Sequence, residues 1–493
     1  MCGICGALSW AHHPPEESIS VRMLQALSHR GPDGSGVVSL PSNNGFLGNT
    51  RLAVIGLEAG KQPYTSRCGR YIGVMNGEVY NFRAIQRDLA RSGTSIETDS
   101  DTELVIEGFA NWGAEILSFV RGMFAIAIYD THLTELFLAR DRAGVKPLYY
   151  FGESELFVFG SEMKSLLMHP GVPRNIDSLA LHQYLALGYP LLPRTAFKKI
   201  FELEPGTSLR VSPGQMKREV YWRWPDRQVP VSDQGREDGV REALIQAVEE
   251  NLVADVEVGA CLSAGIDSTL LVAIVRKELQ RPLRTFTVRF PEASYDESQL
   301  ARLVASHFGA DHHEITLDGV KDPMELIAEI LDQFDQPFAD SSAIPMYLLS
   351  KEIRRWVKVA LSGDGGDEMF GGYPRFRHIR VARALGSLPK QLLSGFVASG
   401  LRSLAPFNPD LSRAGGRLLT AALSEGWLRC IALSSYMNPD DVEQWIAPQY
   451  TRGNADPFEL PISSVDGSWR DFMSFSEHYA LPGDYLTKVD TMS

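Results

Sequence analysis

The chain has 493 residues, 44% of them hydrophobic and 22% charged, so it can bury more than one core and is not a disordered, collagen-like or disulfide-scaffold chain. With 48 Lys and Arg against 61 Asp and Glu the net charge is −13, which argues against a general nucleic-acid binder but not against a nucleotide pocket. Five cysteines, odd in number and sparse, no apolar run near the ~18 residues that span a bilayer, and no basic-then-apolar start predict a cytoplasmic chain without disulfides, signal peptide or membrane insertion.

Residues 1–210 carry short strand-like runs at 71–75, 123–129, 135–139, 148–151 and 156–159, with helical stretches at 82–91 and 102–112 between them. This predicts an α+β domain of antiparallel sheets over residues 2–212. Pro213-Gly214, two tryptophans and a polar stretch then predict a linker over 213–238. From residue 239 to 493 the pattern alternates: helices at 240–252, 268–279, 299–308 and 343–356, strands at 256–262, 284–290 and 357–361. That alternation predicts an α/β domain with a parallel sheet, followed by a mostly helical part over 380–480.

Cys2 becomes the first residue once the initiator methionine is removed. One residue then joins a thiol to an α-amine of unperturbed pKa about 7.7–8.0, the pairing of an N-terminal nucleophile. Two other readings stay open on position alone: a small buried cysteine beside a strand, or a Cys2-x-x-Cys5 metal or redox pair, although two ligands make no zinc site. Downstream lie the polar turn Ser28-His29-Arg30-Gly31-Pro32-Asp33-Gly34, Arg51-Leu52-Ala53-Val54-Ile55 with an arginine heading an apolar strand, Asn76-Gly77-Glu78 after another strand, and Asp99-Ser100-Asp101 at a helix start. Arginine offers a fork for a carboxylate, aspartate accepts from an α-ammonium, and Asn76 with the Gly77 amide can form an oxyanion hole. Together they describe a pocket in which a thiolate attacks a free amino acid.

These segments, with Gly122-Met123-Phe124-Ala125 and the stretch from Ala139-Arg140-Asp141 to Lys146-Pro147-Leu148, resemble the class II glutamine amidotransferase domain. The resemblance spans roughly residues 2–200 and implies an N-terminal-nucleophile sandwich of αββα layers. It implies Cys2 as nucleophile, with Arg51, Leu52, Ala53, Val54, Ile55, Asn76, Gly77, Glu78 and Asp101 lining a glutamine site.

Leu262-Ser263-Ala264-Gly265-Ile266-Asp267-Ser268 lies between a predicted strand and helix, where backbone amides and the helix dipole hold phosphate. It lacks a Walker ending, and by itself it also fits a plain turn. Ser362-Gly363-Asp364-Gly365-Gly366-Asp367-Glu368 places three carboxylates at a strand's carboxyl end, where open α/β sheets bind ligands; by itself it also fits a solvated acidic turn. The pair resembles the ATP-pyrophosphatase domain of asparagine synthetases, as do Tyr295-Asp296-Glu297, Asp335-Gln336-Pro337-Phe338-Ala339-Asp340-Ser341-Ser342, Phe370-Gly371-Gly372-Tyr373 and the segment from Leu481-Pro482-Gly483-Asp484 to Lys488-Val489-Asp490. The resemblance implies ATP against Leu262, Ser263, Gly265, Asp267, Ser268, Val288, Ser362 and Gly363, Mg²⁺ on Asp267 and Asp367, Asp364 assisting attack on an acyl-adenylate, and Lys488 stabilising phosphate charge.

Two departures from that family are visible. Ala264 stands where a glycine is usual; the expectation is that the loop does not need a positive φ there. The chain stops at Ser493 in a predicted helix, where family members continue. The implied activity is conversion of aspartate, glutamine and ATP to asparagine, glutamate, AMP and pyrophosphate, and a homodimer is compatible with it. The alternatives are amidation of another carboxylate, on a surface polysaccharide or natural-product precursor, and a glutaminase or regulatory protein without synthesis.

Overall fold

Alternating apolar and polar residues between Gly-, Asn- and Asp-rich turns give the first half its strands: β1 (Gly3–Ser9), β2 (Gly34–Ser39), β3 (Gly45–Arg51), β4 (Tyr64–Thr65), β5 (Tyr71–Val79), β6 (Gly122–Asp130), β7 (Glu135–Arg140), β8 (Tyr149–Glu153), β9 (Leu156–Gly160), β10 (Phe201–Glu202), β11 (Thr207–Ser212) and β12 (Gln215–Val220). The computed structural model describes residues 1–10, 17–41, 44–225, 235–293, 296–316, 322–393, 403, 409–451, 453, 455–459 and 467–493. The strands form two six-stranded sheets, in the orders β10-β8-β9-β1-β3-β2 and β12-β11-β7-β6-β5-β4. Their inner faces meet over Ile4, Leu8, Leu47, Val74, Ala127, Leu138 and Phe159. Helices Phe82–Arg91 and Asp101–Trp112 cover the second sheet through Ile85, Leu89 and Ile106, and helix Glu17–Gln25 covers the first through Ile19 and Met23. The result is the αββα sandwich that the resemblance implies.

Three expectations need correction here. The linker expected from residue 213 begins instead as a hairpin, with Gly214 at φ +70° and β12 paired to β11 from Thr207↔Val220 to Ser212↔Gln215. Residues 226–234 of that expected linker, like Tyr295, lie outside the described residues. Arg51 ends strand β3 rather than heading a strand, and residues 52–55 are a loop. Asn76, Gly77 and Glu78 lie inside β5, not after it.

The second half has a four-stranded sheet of β13 (Val258–Cys261), β14 (Arg284–Arg289), β15 (Asp311–Thr316) and β16 (Val359–Leu361), in the order β15-β14-β13-β16 with every pairing parallel. Helices Arg236–Asn251, Ile266–Ala273, Ser298–Phe308, Pro323–Gln333 and Ala343–Ile353 alternate with these strands, as crossover connections require. The stretch expected as one helix over 268–279 changes to a π-helical turn at Ile274–Glu278. Chain direction across the sheet reverses between β13 and β16, so the loops after these neighbouring strands diverge and open a crevice. A helical layer follows, including Arg375–Gly386, Gly426–Ser434, Trp469–Phe475 and Leu486–Met492 around Phe376, Ile431, Phe472 and Phe475. Among the described residues no helix is long and apolar enough to cross a membrane, and the five cysteines are free.

A buried guanidinium shows how the sandwich accommodates charge. The Arg140 side chain, 1% exposed, donates to Lys146 O at 2.9 Å, Gly144 O at 2.8 Å and Leu203 O at 2.6 Å, and pairs with Glu202 at 2.7 Å. Arg140→Ala leaves Glu202 buried and unpaired, so urea unfolding should show a loss of about 3–5 kcal/mol. Arg140→Met combined with Glu202→Gln should lose clearly less, and an equal loss would mean that the charge pair is not the cause.

Candidate active sites

The first site follows from strand register. Gly3 pairs with Thr50, which sets Cys2, just before β1, opposite the end of β3. Leu52 N–H donates to Cys2 Sγ at 3.3 Å, and the thiol reaches Leu52 O at 3.5 Å. Arg30 Nε donates to Cys2 O at 2.8 Å and fixes the peptide behind the thiol. Burial pushes the Cys2 thiol above its ordinary range, while the hydrogen bond to Leu52 opposes that shift. The sulfur therefore stays protonated until a base takes its proton. With Met1 present, burial foremost and then Arg30 lower its terminal amine to about 5.

Glu78 and Asp101 carry the nearest negative charges to the thiol that β5 and helix Asp101–Trp112 provide. Val79 N–H donates to Asp101 Oδ2 at 3.1 Å. Burial raises Asp101 to about 6, and burial followed by the Asp101 charge raises Glu78 well above the usual carboxylate range. Glu78 Oε2 has no hydrogen-bond partner. Two facing buried carboxyls keep one proton between them unless a cation joins them, and an α-ammonium is such a cation. Asn76 lies two residues before Glu78 on the same strand, hence on the same face. It is fully buried with both amide atoms unpartnered, which leaves its Nδ2 free to donate to a developing oxyanion. Gly77 adopts φ +144°, and a Cβ there would fall 2.0 Å from Met123 O, so the close approach of β5 to β6 needs glycine.

Arg51, expected to line the glutamine site, directs its terminal nitrogens at the loop that follows it. Its terminal nitrogens donate to Leu57 O at 2.9 Å, Ile55 O at 3.2 Å and Gly56 O at 2.7 Å. The fork closes the loop after β3 on itself. Ala53, Val54 and Ile55 are buried in that loop. Nor does Cys5 join Cys2 in a pair: it lies in the core under helix Glu17–Gln25, and burial raises it to about 12. Among the described residues no three His, Cys, Asp or Glu side chains form a metal-binding group.

The second site occupies the crevice between the loops after β13 and β16, a cavity of about 680 Å³. Leu262, Ser263, Gly265, Asp267, Ser268, Val288, Ser362, Gly363, Asp364 and Asp367 all line it, with Glu297, Glu368 and Tyr373, to which the sequence assigned no role. Ser263 and Ser268 hydroxyls meet at 3.1 Å, and Ser263 N–H donates to Ser268 Oγ at 3.2 Å, which curls the first loop over the start of helix Ile266–Ala273. A Cβ on Gly366 would fall 2.5 Å from Asp267 Cγ, so glycine lets the second loop lie against that carboxylate. Burial, then the Asp267 charge, raises Asp367. A carboxylate pair held apart from other cations in this way fits Mg²⁺, which binds through one or two carboxylates and phosphate oxygens. Ala264 corrects an expectation: it sits at φ +61°, so the loop does adopt the left-handed conformation that alanine disfavours.

Lys488 is not in this cavity. It donates to Asp340 Oδ2 at 2.9 Å and Ser342 Oγ at 2.8 Å, in an adjoining cavity of about 220 Å³ that shares Tyr373 with the first. Arg375, Tyr189, Tyr436 and Asp484 also line that smaller cavity. Asp484 Oδ1 is buried without a partner, and burial, then Asp340, raises its carboxyl to about 7. The sequence quoted Asp484 within a motif but gave no sign that it would be buried.

Comparison with known proteins gives a family for each half. Residues 1–222 match the glutamine amidotransferase domain model, and residues 239–493 match the asparagine synthase model. Glutamine-hydrolyzing asparagine synthetase 1 of Bacillus subtilis is 33% identical over 80% of this chain and 62% of its own length. Asparagine synthetase B of Escherichia coli is 29% identical over 78% of this chain and 67% of its own length. The chain thus spans about two thirds of the length of these relatives. Glutamine phosphoribosylpyrophosphate amidotransferase from B. subtilis aligns at 17% identity over 64% of this chain and 81% of that chain, with a TM-score of 0.35, too slight a likeness to carry an argument.

Two stability measurements test this geometry. Asp101 titrates near ~3.9 when unfolded and at about 6 in the fold. Its ionised form therefore costs stability, a cost absent below pH ~4, growing towards pH ~6 and complete above it. Asp101→Asn should raise the melting temperature at pH 7 and leave it unchanged at pH 4. Ala264→Gly should stabilise the second half by about 1 kcal/mol through relief of the positive φ, read as a higher melting temperature; a lower one would mean that Ala264 is not strained.

Proposed function

We infer the chemistry from one premise: this chain belongs to the asparagine synthase family and carries a glutamine amidotransferase domain ahead of the synthase domain. It is a glutamine-dependent, ATP-driven amide synthetase, and aspartate is the acceptor that we propose, giving asparagine. The observation that carries the synthetase half is the pair Asp267 and Asp367 facing across one cavity bounded by both Ser/Gly-rich loops.

In the amidotransferase half, Cys2 freed of Met1 passes its thiol proton to its own α-amine. The thiolate attacks the side-chain carbonyl carbon of glutamine, Asn76 Nδ2 and the Gly77 N–H donate to the oxyanion, and Glu78 with Asp101 holds the substrate ammonium. The C–N bond breaks, ammonia leaves with a proton from the amine, and water cleaves the thioester to glutamate and free thiol. In the synthetase half, an acceptor carboxylate oxygen attacks the α-phosphorus of ATP and pyrophosphate departs. Asp267 and Asp367 would hold Mg²⁺, whose chemistry there would be to neutralise charge on the phosphates. Ser263, Ser268 and the first-loop amides bind pyrophosphate, and Asp364 takes a proton as ammonia attacks the acyl-adenylate and AMP leaves.

The adjoining cavity supports a zwitterionic amino acid as acceptor. Arg375 offers a partner for an α-carboxylate, and the unpartnered Oδ1 of Asp484 one for an α-ammonium. One observation favours hydrolysis without synthesis, namely Ala264 in the left-handed region of the first loop. Incubation with glutamine, ATP, Mg²⁺ and a panel of carboxylates decides between them: aspartate-dependent pyrophosphate and asparagine support the proposal, whereas glutamate release with no pyrophosphate supports the hydrolase.

Cys2→Ala should abolish glutamine-dependent synthesis and preserve ammonia-dependent synthesis; equal loss of both would remove Cys2 from the role of nucleophile. Asp367→Asn should lower synthesis by about 10² or more, the order seen when one electrostatic stabiliser is lost, with glutamine hydrolysis retained. The KM for glutamine should rise as pH falls below about 6, where Asp101 gains a proton, and a flat profile would remove the carboxyl pair from ammonium binding.

A further inference from the structure

The loop after β3 is gripped from the other half of the chain. Ala53 N–H donates to Asp33 Oδ2 at 2.9 Å, and the same oxygen accepts from Lys358 Nζ at 2.8 Å. Asp33 N–H donates to Arg51 O at 2.9 Å, so Asp33 holds both sides of the turn at Leu52. Further along, Gly56 N–H donates to Asp255 Oδ2 at 2.8 Å, and Asp255 N–H donates back to Val54 O at 3.0 Å. Asp33 is held below the usual carboxylate range, by Lys358 first and by the Ala53 amide next.

These two clasps have a common origin. Lys358 immediately precedes β16 and Asp255 lies shortly before β13, and the two strands are neighbours with Val258 paired to Val359. Both residues therefore stand at the amino end of the strands whose carboxyl ends carry the two loops of the larger cavity. At about 3.3 Å per residue, Lys358 lies roughly 13 Å and Asp255 roughly 23 Å from its loop along one strand. Leu52, whose N–H donates to the Cys2 sulfur, lies within the first clasp, between Arg51 O and Ala53 N–H, and the second clasp follows at Val54 and Gly56. The twelve residues 52–63 between β3 and β4 belong to no strand, so the Arg51 fork and the groups that bond to the backbone of residues 53–56 set where Leu52 sits.

We propose that Asp255 and Lys358 are positioning residues for the Cys2 thiol: the second half of the chain holds residues 52–56 in place and thereby aims the Leu52 N–H at the sulfur. They touch neither substrate nor sulfur and act through Leu52 and Asp33. The proposal rests on the amidotransferase reading above, and the test has one arm that does not.

The 493-residue chain freed of Met1 serves for all variants. Lys358→Met should lower kcat/KM for glutamine hydrolysis about two- to five-fold, as expected for a half-exposed ion pair. Asp255→Ala should lower it on the order of ten-fold, since a backbone N–H loses a charged acceptor. Lys358→Arg should restore the wild-type value, and ammonia-dependent synthesis should stay within about two-fold throughout, since the loop belongs to the hydrolytic step. Raised salt should bring the wild type towards the Lys358→Met value and leave that variant unchanged. Hydrogen exchange read by mass spectrometry should speed up in the peptide covering residues 52–57 in both variants. Unchanged kcat/KM for glutamine, or parallel loss of glutamine and ammonia activities, overturns the proposal. If the wild type hydrolyses no glutamine, the amidotransferase reading falls by itself, and unchanged exchange over 52–57 then overturns the clasp as well.

Discussion

A single guanidinium ties the start of the chain to its far end. Arg30 donates to Cys2 O and pairs with Glu162 and Asp490, each at 2.8 Å, with its side chain 3% exposed. Lys146 shares Asp490 at 3.1 Å. A planar cation shut away from water must meet acceptors in fixed directions, so three distant parts of the chain are located relative to one plane. Asp490 and Lys488 belong to the same helix, Leu486–Met492, so the wall of the smaller cavity and the peptide of Cys2 refer to one buried centre of charge. Replacement of that centre by apolar groups of equal volume need not weaken the fold; it would remove what fixes the angle between the halves.

A second junction reinforces it. Lys164 N–H donates to Asp335 Oδ2 at 2.9 Å, and Ala196 N–H donates to Gln336 Oε1 at 2.9 Å. The Asp335-Gln336-Pro337 segment, noticed in the sequence as a synthetase motif, thus holds the first half at one end and presents Asp340 and Ser342 to Lys488 at the other. Burial, then Glu162, raises Asp335 to about 6. The motif joins the domains as much as it lines a site.

What the sequence revealed, and what it hid, follows from the range of the interactions. The two crevice loops are legible because glycine, hydroxyls and carboxylates crowd into a few residues between a strand and a helix. The Cys2 site is legible because its parts are local motifs. The run Leu52-Ala53-Val54-Ile55 looks like a strand because it is apolar, yet its backbone bonds to Asp33 and Asp255 rather than to a neighbouring strand, which no local pattern records. Strand β12 was mistaken for linker because its Gln, Lys, Arg and Glu lie on an exposed edge, where alternation is weak. Strand β15 was missed for the same reason, its sequence Asp-His-His-Glu-Ile-Thr standing at the edge of the parallel sheet. Arg30, Asp255, Lys358 and Asp490 could not be assigned because their partners are tens to hundreds of positions away.

The place of β1 has a consequence for how the chain is made. It lies inside its sheet, between β3 and β9, and is paired on both sides. This strand leaves the ribosome well before its second neighbour, which ends at Gly160. At 5–20 residues per second, the strand waits roughly ten to thirty seconds with one edge unpaired. During that interval the amino terminus is open to processing enzymes. The surroundings of the terminal amine include Arg30, Lys146 and Asp490, so they are complete only after Asp490 has docked, and Met1 is most open to trimming before that. A sequence fused ahead of Met1 would have to leave past Arg30 and Lys146, and would compete with the burial that completes the sandwich.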